Sequence, residues 1–189
     1  MIKNARKYVV SVVGSVALVA LSASTTSAEP AEKTEVPSVS LTGSARMHYA
    51  PSPQDRVHVS FDAHATYPEW GQDPKPGKAG GVVRISHEFT GHPEVSGWAE
   101  AKVDCVLAGG TVAIVTGDVV RHSQNFSGWK NKRVGFTVVD ARRSDQLGFT
   151  GPVDDLDACF GKAPRQSPAP LMLTQTGGFT LRHDLPPVH

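Results

Sequence analysis

The sequence predicts an all-β protein: a single antiparallel β-sandwich or small β-barrel of seven to eight strands with one disulfide. Three observations carry that expectation. Apolar and polar residues alternate with a period of two in run after run. Turn-forming residues punctuate the chain about every 8–12 residues, the spacing of short strands in sandwiches and barrels. No stretch combines helical periodicity with helix caps.

Before the first strand comes an export pattern. Lys3, Arg6 and Lys7 are followed by an uncharged stretch from Tyr8 to Ala28, whose apolar part (Val9–Val13 and Val16–Leu21) is short for a bilayer span. Small polar residues follow, with Thr26 and Ala28 three places and one place before a cut ahead of Glu29. That three-part pattern predicts a signal peptide over 1–28, preferred over an uncleaved anchor because the polar tail sits badly in hydrocarbon. Residues 29–45, rich in Glu, Pro, Ser and Thr, are expected to form a flexible leader, and 46–189 a single β domain.

Within the domain, Val57, Val59, Phe61, Ala63 and Ala65 alternate with polar partners over 56–66, a strand with one buried face. Residues 67–81, with three prolines and four glycines, are expected to be a loop. Val83, Ile85, His87 and Phe89 share a face over 82–89, and Ala99, Ala101, Val103, Cys105 and Leu107 share one over 97–107. Gly109-Gly110 signals a hairpin into 111–121. After a polar loop at 122–131 come strands at 132–140 and Gln146–Thr150. Residues 151–177 are expected to be irregular, with Gly177-Gly178 introducing a last strand, Phe179–His183.

The two cysteines, Cys105 and Cys159, both follow the export segment and are expected to pair, since an exported domain meets an oxidising compartment. Reduced buried thiols and a redox pair are the alternatives, and the spacing is far from C-x-x-C. The bridge would close a loop of about 55 residues, worth roughly 4 kcal/mol in the chain-entropy account. It would pin the irregular segment to the sheet.

Composition narrows the function classes. Charged residues make up 20% and hydrophobic ones 39%, enough apolar material for a core. The formal net charge is +1, but three of the 19 bases precede Ala28 and all 18 acids follow it, so the mature chain has 16 bases against 18 acids, net −2. That argues against a nucleic-acid partner. No phosphate loop, dinucleotide fingerprint or G-x-S-x-G elbow occurs, so no cofactor is expected.

Several stretches together, Phe61-Asp62-Ala63-His64-Ala65, Arg84-Ile85-Ser86-His87, Val103-Asp104-Cys105, Val115-Thr116-Gly117, Lys132-Arg133-Val134-Gly135-Phe136 and Gly178-Phe179-Thr180-Leu181-Arg182-His183, resemble a group of secreted actinobacterial proteins sometimes labelled repetin. The resemblance spans roughly 55–185 and implies export, one domain and a β fold. It implies no chemistry, and the sequence has no calcium-binding EF-hand loop.

Histidine is the most suggestive residue type. His87-Glu88-Phe89-Thr90-Gly91-His92 has its histidines five apart with Gly91 and Pro93 breaking any helix, so it does not match the zinc-protease motif. His58, Asp62 and His64 project from one strand face, about 13 Å and about 7 Å apart. They are a candidate metal or polar catalytic cluster, weighed against a solvated outer face, which is preferred; no metal is expected. His87 and His183, on inward faces, are the candidates to line a barrel cavity, against buried structural histidines.

The acidic run Asp154, Asp155 and Asp157 is a weaker calcium candidate beside an ordinary solvated loop. Lys130, Lys132 and Arg133, with Arg142 and Arg143 across a hairpin, form a local basic edge that guards the sheet, with contact to anionic cell-wall polymer or lipid headgroups as the alternative. Trp70, Trp98 and Trp129 are expected in loops or on outer faces.

The expectation from sequence is thus a secreted, extracellular monomer without a membrane span once the signal is removed. It leans to a non-enzymatic module binding an unknown extracellular or cell-wall ligand. The alternative is a small-ligand carrier or enzyme using a barrel interior lined by His87 and His183, or a histidine-based metal binder.

Overall fold

The computed structural model describes residues 36–68, 77–159 and 168–185. The expected signal peptide, residues 29–35 of the expected leader and Trp70 lie outside the described residues. Among the described residues eight strands succeed one another: β1 (Ser38–His48), β2 (Arg56–Thr66), β3 (Lys78–Glu88), β4 (Gly97–Gly109), β5 (Val112–His122), β6 (Arg133–Val139), β7 (Gln146–Phe149) and β8 (Met172–His183). Each pairs antiparallel with the next, and β8 returns to β1. Of the two architectures open to the sequence, the closed up-and-down barrel is the one formed.

Three expectations are corrected by this layout. β1 begins at Ser38, inside the stretch assigned to a leader that ran to residue 45. Val39 and Leu41 are buried while Ser40, Thr42 and Ser44 face outward. The outward residues of this strand are the serines and threonines that also characterise a flexible leader. β3 begins at Lys78, so the loop before it is shorter than 67–81. β8 begins at Met172, and Gly177-Gly178 lies within it rather than before it. Gly177 has φ +78°, and a Cβ on it would sit 2.2 Å from the Ser44 carbonyl oxygen. Opposite, a Cβ on Gly43 would sit 2.4 Å from the Gly178 carbonyl oxygen. These glycines mark close backbone approach beside a register shift at Arg46/Met47, a device that curves a sheet toward closure.

The β4–β5 ladder shifts register between Glu100 and Ala101 and again between Val103 and Cys105, and the latter shift reverses the alternation of β4. Ala99, Ala101 and Val103 join the core, but after the shift Val106, opposite core residue Val115, takes the inward place. Cys105, opposite Thr116, therefore turns to the outer face, contrary to the unbroken alternation expected over 97–107. It is nonetheless fully buried, because the chain after β7 crosses over it. The Cys105–Cys159 disulfide fixes that crossing, with Cα atoms 5.7 Å apart. Val153 and Arg133 exchange backbone hydrogen bonds of 2.9 and 2.8 Å beneath it. Arg133 adds side-chain bonds to Asp104, to Asp118 at 2.7 Å and to the Leu156 carbonyl.

The barrel interior is filled at mid-height by Phe61, Phe136 and Phe179, packed edge to face with ring centroids 5.2–5.3 Å apart. Toward the N-terminal end of β1, Tyr67 is completely buried and donates its hydroxyl hydrogen to the Val106 carbonyl. Between β7 and β8 the ladder holds only two pairs, Gln146–Leu173 and Leu147–Met172. Side chains stand in for the missing strand. Buried Asp145 accepts the Phe179 N–H at 2.7 Å and the Ala141 N–H at 2.9 Å, and Asp140 accepts the Leu181 N–H at 2.9 Å.

Two outcomes follow from the closure. Asp145→Ala leaves two backbone donors without acceptors and is expected to lower unfolding free energy by about 1–3 kcal/mol, measured by urea denaturation. Burial pushes the Tyr67 hydroxyl up to about 12 from 10.0. The unfolded chain then releases this proton first, so stability falls as pH rises from about 10 to about 12. Tyr67→Phe is expected to remove that component of the alkaline decline in a pH series of denaturation midpoints.

Candidate functional site

At the end of the barrel where β1 runs into β2, the core does not fill the space. A cavity of about 500 Å³ opens there, lined by Tyr49, Val57, Ile85, His87, Phe126, Trp129, Leu147, Phe149 and Met172, with Ala50, Pro51, Gly148, Ala169 and Leu171 at its margins. The aromatic rings of this lining are in contact with one another. Phe126 stacks on Trp129 at 4.6 Å, Trp129 leans on Phe149 at 5.8 Å, and Phe149 stacks on Phe136 of the mid-barrel layer at 4.9 Å. Phe126 and Trp129 come from the 3-10 turn Gln124–Trp129 between β5 and β6, which the sequence presents as a polar loop. Gly97 makes room for it, since a Cβ there would lie 2.4 Å from the Phe126 ring.

His87 is the lining residue held by a carboxylate. It sits at the end of β3, only 17% exposed, and its Nε2 lies 2.8 Å from Asp55 Oδ2. Its ring stacks on Phe89 at 3.7 Å and meets Tyr49 edge-on at 5.3 Å. Asp55 is 5% exposed, and its second oxygen, Oδ1, accepts the Thr90 N–H at 2.8 Å. The Thr90 hydroxyl in turn donates to the Gln54 carbonyl at 2.7 Å. Bonds from the Thr90 N–H, from His87 and from Ser52 hold the Asp55 carboxyl below the usual carboxylate range, against the opposing effect of desolvation. An ionised carboxylate cannot donate, so the proton of this pair is on His87 Nε2.

The other candidates fall elsewhere. His183 does not share the cavity with His87. His183 pairs with Val39, which pairs with Ala65, whereas His87 pairs with Val57, eight residues back along β2. That is about 26 Å of strand, with the phenylalanine layer between. His183 Nε2 instead meets the Gly110 carbonyl at 2.9 Å beside the β4–β5 turn.

His58, Asp62 and His64 stand on the outer face of β2, where His58 bonds Ser44 Oγ at 3.0 Å. No group of three metal-ligating side chains is assembled among the described residues. His92 reaches Glu94 at 3.3 Å and Glu88 pairs with Arg56 at 3.2 Å, both away from the cavity.

Asp154 pairs with Lys132, and Asp155 and Asp157 are exposed. The basic edge is divided: Arg133 opens β6 and is consumed by Asp104 and Asp118, while Arg142 and Arg143 lie beyond the strand's far end. Trp98 is on the outer face beneath Arg84, 4.7 Å from the ring centroid, whereas Trp129 turns inward to the cavity. Among the described residues no helix is long and apolar enough to cross a membrane.

No family model, no curated protein and no solved structure matches the chain. The residues that sequence reasoning missed are Tyr49, Asp55, Phe126 and Phe149. Asp55 is 32 positions from its partner His87. It sits in a proline- and serine-rich turn, so no local pattern joins the two.

Because the folded-state value of Asp55 is lowered, its contribution to stability is full above the ordinary value of 3.8 and is lost as pH falls through the lower folded one. Asp55→Asn is expected to be less stable than the parent at pH 5, with the difference narrowing toward pH 2. A series of urea midpoints checks this; a difference independent of pH contradicts it.

Proposed function

We propose that this domain is an exported, non-enzymatic binding protein that holds a small, largely apolar molecule in the open end of its barrel. The observation that carries the reading is the cavity of about 500 Å³, walled by aromatic and aliphatic side chains around one anchored polar residue, His87. That size and chemistry are those of small-molecule sites, where apolar walls supply affinity and a few placed polar groups supply orientation. An eight-stranded barrel has an interior just wide enough for one small ligand where side chains leave it unfilled. Leu171, 83% exposed, extends the apolar surface outward from the cavity margin.

Export is supported by the charged, apolar and small-residue order of the first 28 residues and by the disulfide. The protein would then meet its ligand in the medium or at the cell envelope, as a monomer. The lining is mostly aromatic and aliphatic, and such walls give binding free energy by burial.

The test uses N-phenyl-1-naphthylamine, an uncharged apolar dye that brightens out of water. One dye per chain is expected to bind. Ala169→Trp, which adds an indole at an exposed position of the cavity margin, is expected to weaken binding at least tenfold while leaving the unfolding midpoint near that of the parent. Dye emission that is unchanged by the protein, or binding indifferent to Ala169→Trp, contradicts the proposal.

A further inference from the structure

The ligand class can be narrowed, on the basis of the binding reading above, by the hydrogen bonds that fix His87. The Nε2 atom faces Asp55 Oδ2 at 2.8 Å, and Asp55 is itself oriented by the Thr90 N–H on Oδ1 at 2.8 Å. The stacked Phe89 ring and the Tyr49 edge hold the imidazole plane. The bond to Asp55 uses Nε2 and leaves Nδ1 without a hydrogen bond among the described residues, in a residue that lines the cavity. With the proton on Nε2, Nδ1 of the neutral ring is an acceptor.

We infer that the site selects planar, uncharged, largely apolar molecules carrying a hydrogen-bond donor, a hydroxyl or an N–H, which is delivered to His87 Nδ1. Three features converge on that class. The aromatic side chains of the lining, Tyr49, Phe126, Trp129 and Phe149, suit a flat ring system, since π faces stack offset or edge-on. The Asp55 carboxylate behind His87 already accepts bonds from Thr90, His87 and Ser52, and so offers little to a cation. A donor on the ligand completes the imidazole, whereas a carbonyl placed there faces a lone pair. Asp55 is in this account a positioning residue: it does not touch the ligand but decides which ring nitrogen is bare.

That role gives the experiment its sign. In Asp55→Asn the Thr90 N–H still requires an acceptor, so the amide oxygen stays with Thr90 and the amide N–H₂ turns to Nε2. Nε2 must then accept, the proton moves to Nδ1, and the cavity presents a donor.

Affinities of the oxidised protein for 1-naphthol, which offers a hydroxyl donor, and 1-acetonaphthone, which offers only a carbonyl acceptor, are compared by calorimetry at pH 8. The parent is expected to prefer 1-naphthol about tenfold, the size of one hydrogen bond's net contribution. Asp55→Asn is expected to reverse the preference, and His87→Phe, which keeps a ring of similar size, to bring the two affinities within about twofold. A residue that merely supported the fold would weaken both probes together and leave their ratio unchanged.

Equal binding of the two probes by the parent overturns the ligand class while leaving the cavity reading in place. An unchanged ratio in Asp55→Asn overturns the role of Asp55. Should Asp55→Asn not fold, the His87→Phe ratio decides the ligand class alone. If the parent binds neither probe, the cavity reading fails and this inference with it.

Discussion

Edge-to-face packing of Phe61 against Phe136 and Phe179 is the constraint on which the interior depends. Three rings are enough to block an eight-stranded barrel at mid-height, because its interior is little wider than the side chains it contains. The two ends are thereby separated and take different fates. Toward one end lies a buried phenol, that of Tyr67, bonded to the backbone of β4. At the other end the 3-10 turn bearing Phe126 and Trp129 lines a cavity that the core does not fill. A hydrophobic space persists there because aromatic rings that stack on one another hold their wall in place and do not collapse inward.

Closure itself rests on local irregularities rather than on uniform strands. Glycines at 43 and 177 let β1 and β8 approach where a side chain would collide with backbone. Asp140 and Asp145 receive the amides of β8 that a four-residue β7 cannot reach. On the outer face the shift in β4 turns Cys105 away from the core and under the segment that carries Cys159. A bridge that the alternation alone assigns to the inward face is in fact a clasp over the outside.

Strand β2 was legible to the residue, because Val57 to Ala65 alternate without interruption and the outward positions are polar or charged. β4 was legible until Asp104, where one added residue inverts every later side chain, and no feature of residue type marks the insertion. β1 was hidden because its outward positions are serines and threonines, the vocabulary of a flexible leader. Of the site, His87 was legible from its place on an apolar strand face. Asp55, Phe126 and Trp129 were not, since each is delivered by a connection between strands, where position follows from tertiary packing and not from period. His183 satisfied the same alternation as His87, yet alternation tells a face and not a height along the barrel. Those two histidines share the inward side and are divided by the phenylalanine layer.

The central claim is that one end of this barrel, and not its outer face or its other end, receives a small planar molecule beside His87. The most direct measurement is a set of amide and aromatic chemical-shift changes on titrating the ¹⁵N,¹³C-labelled protein with 1-naphthol. Saturable shifts confined to Tyr49, His87, Phe126, Trp129, Leu147 and Phe149, with Val39, Ala65, Val112 and His183 unmoved, are the result this account predicts. Shifts that centre on Trp98 and the outer strands, or that do not saturate, would contradict it.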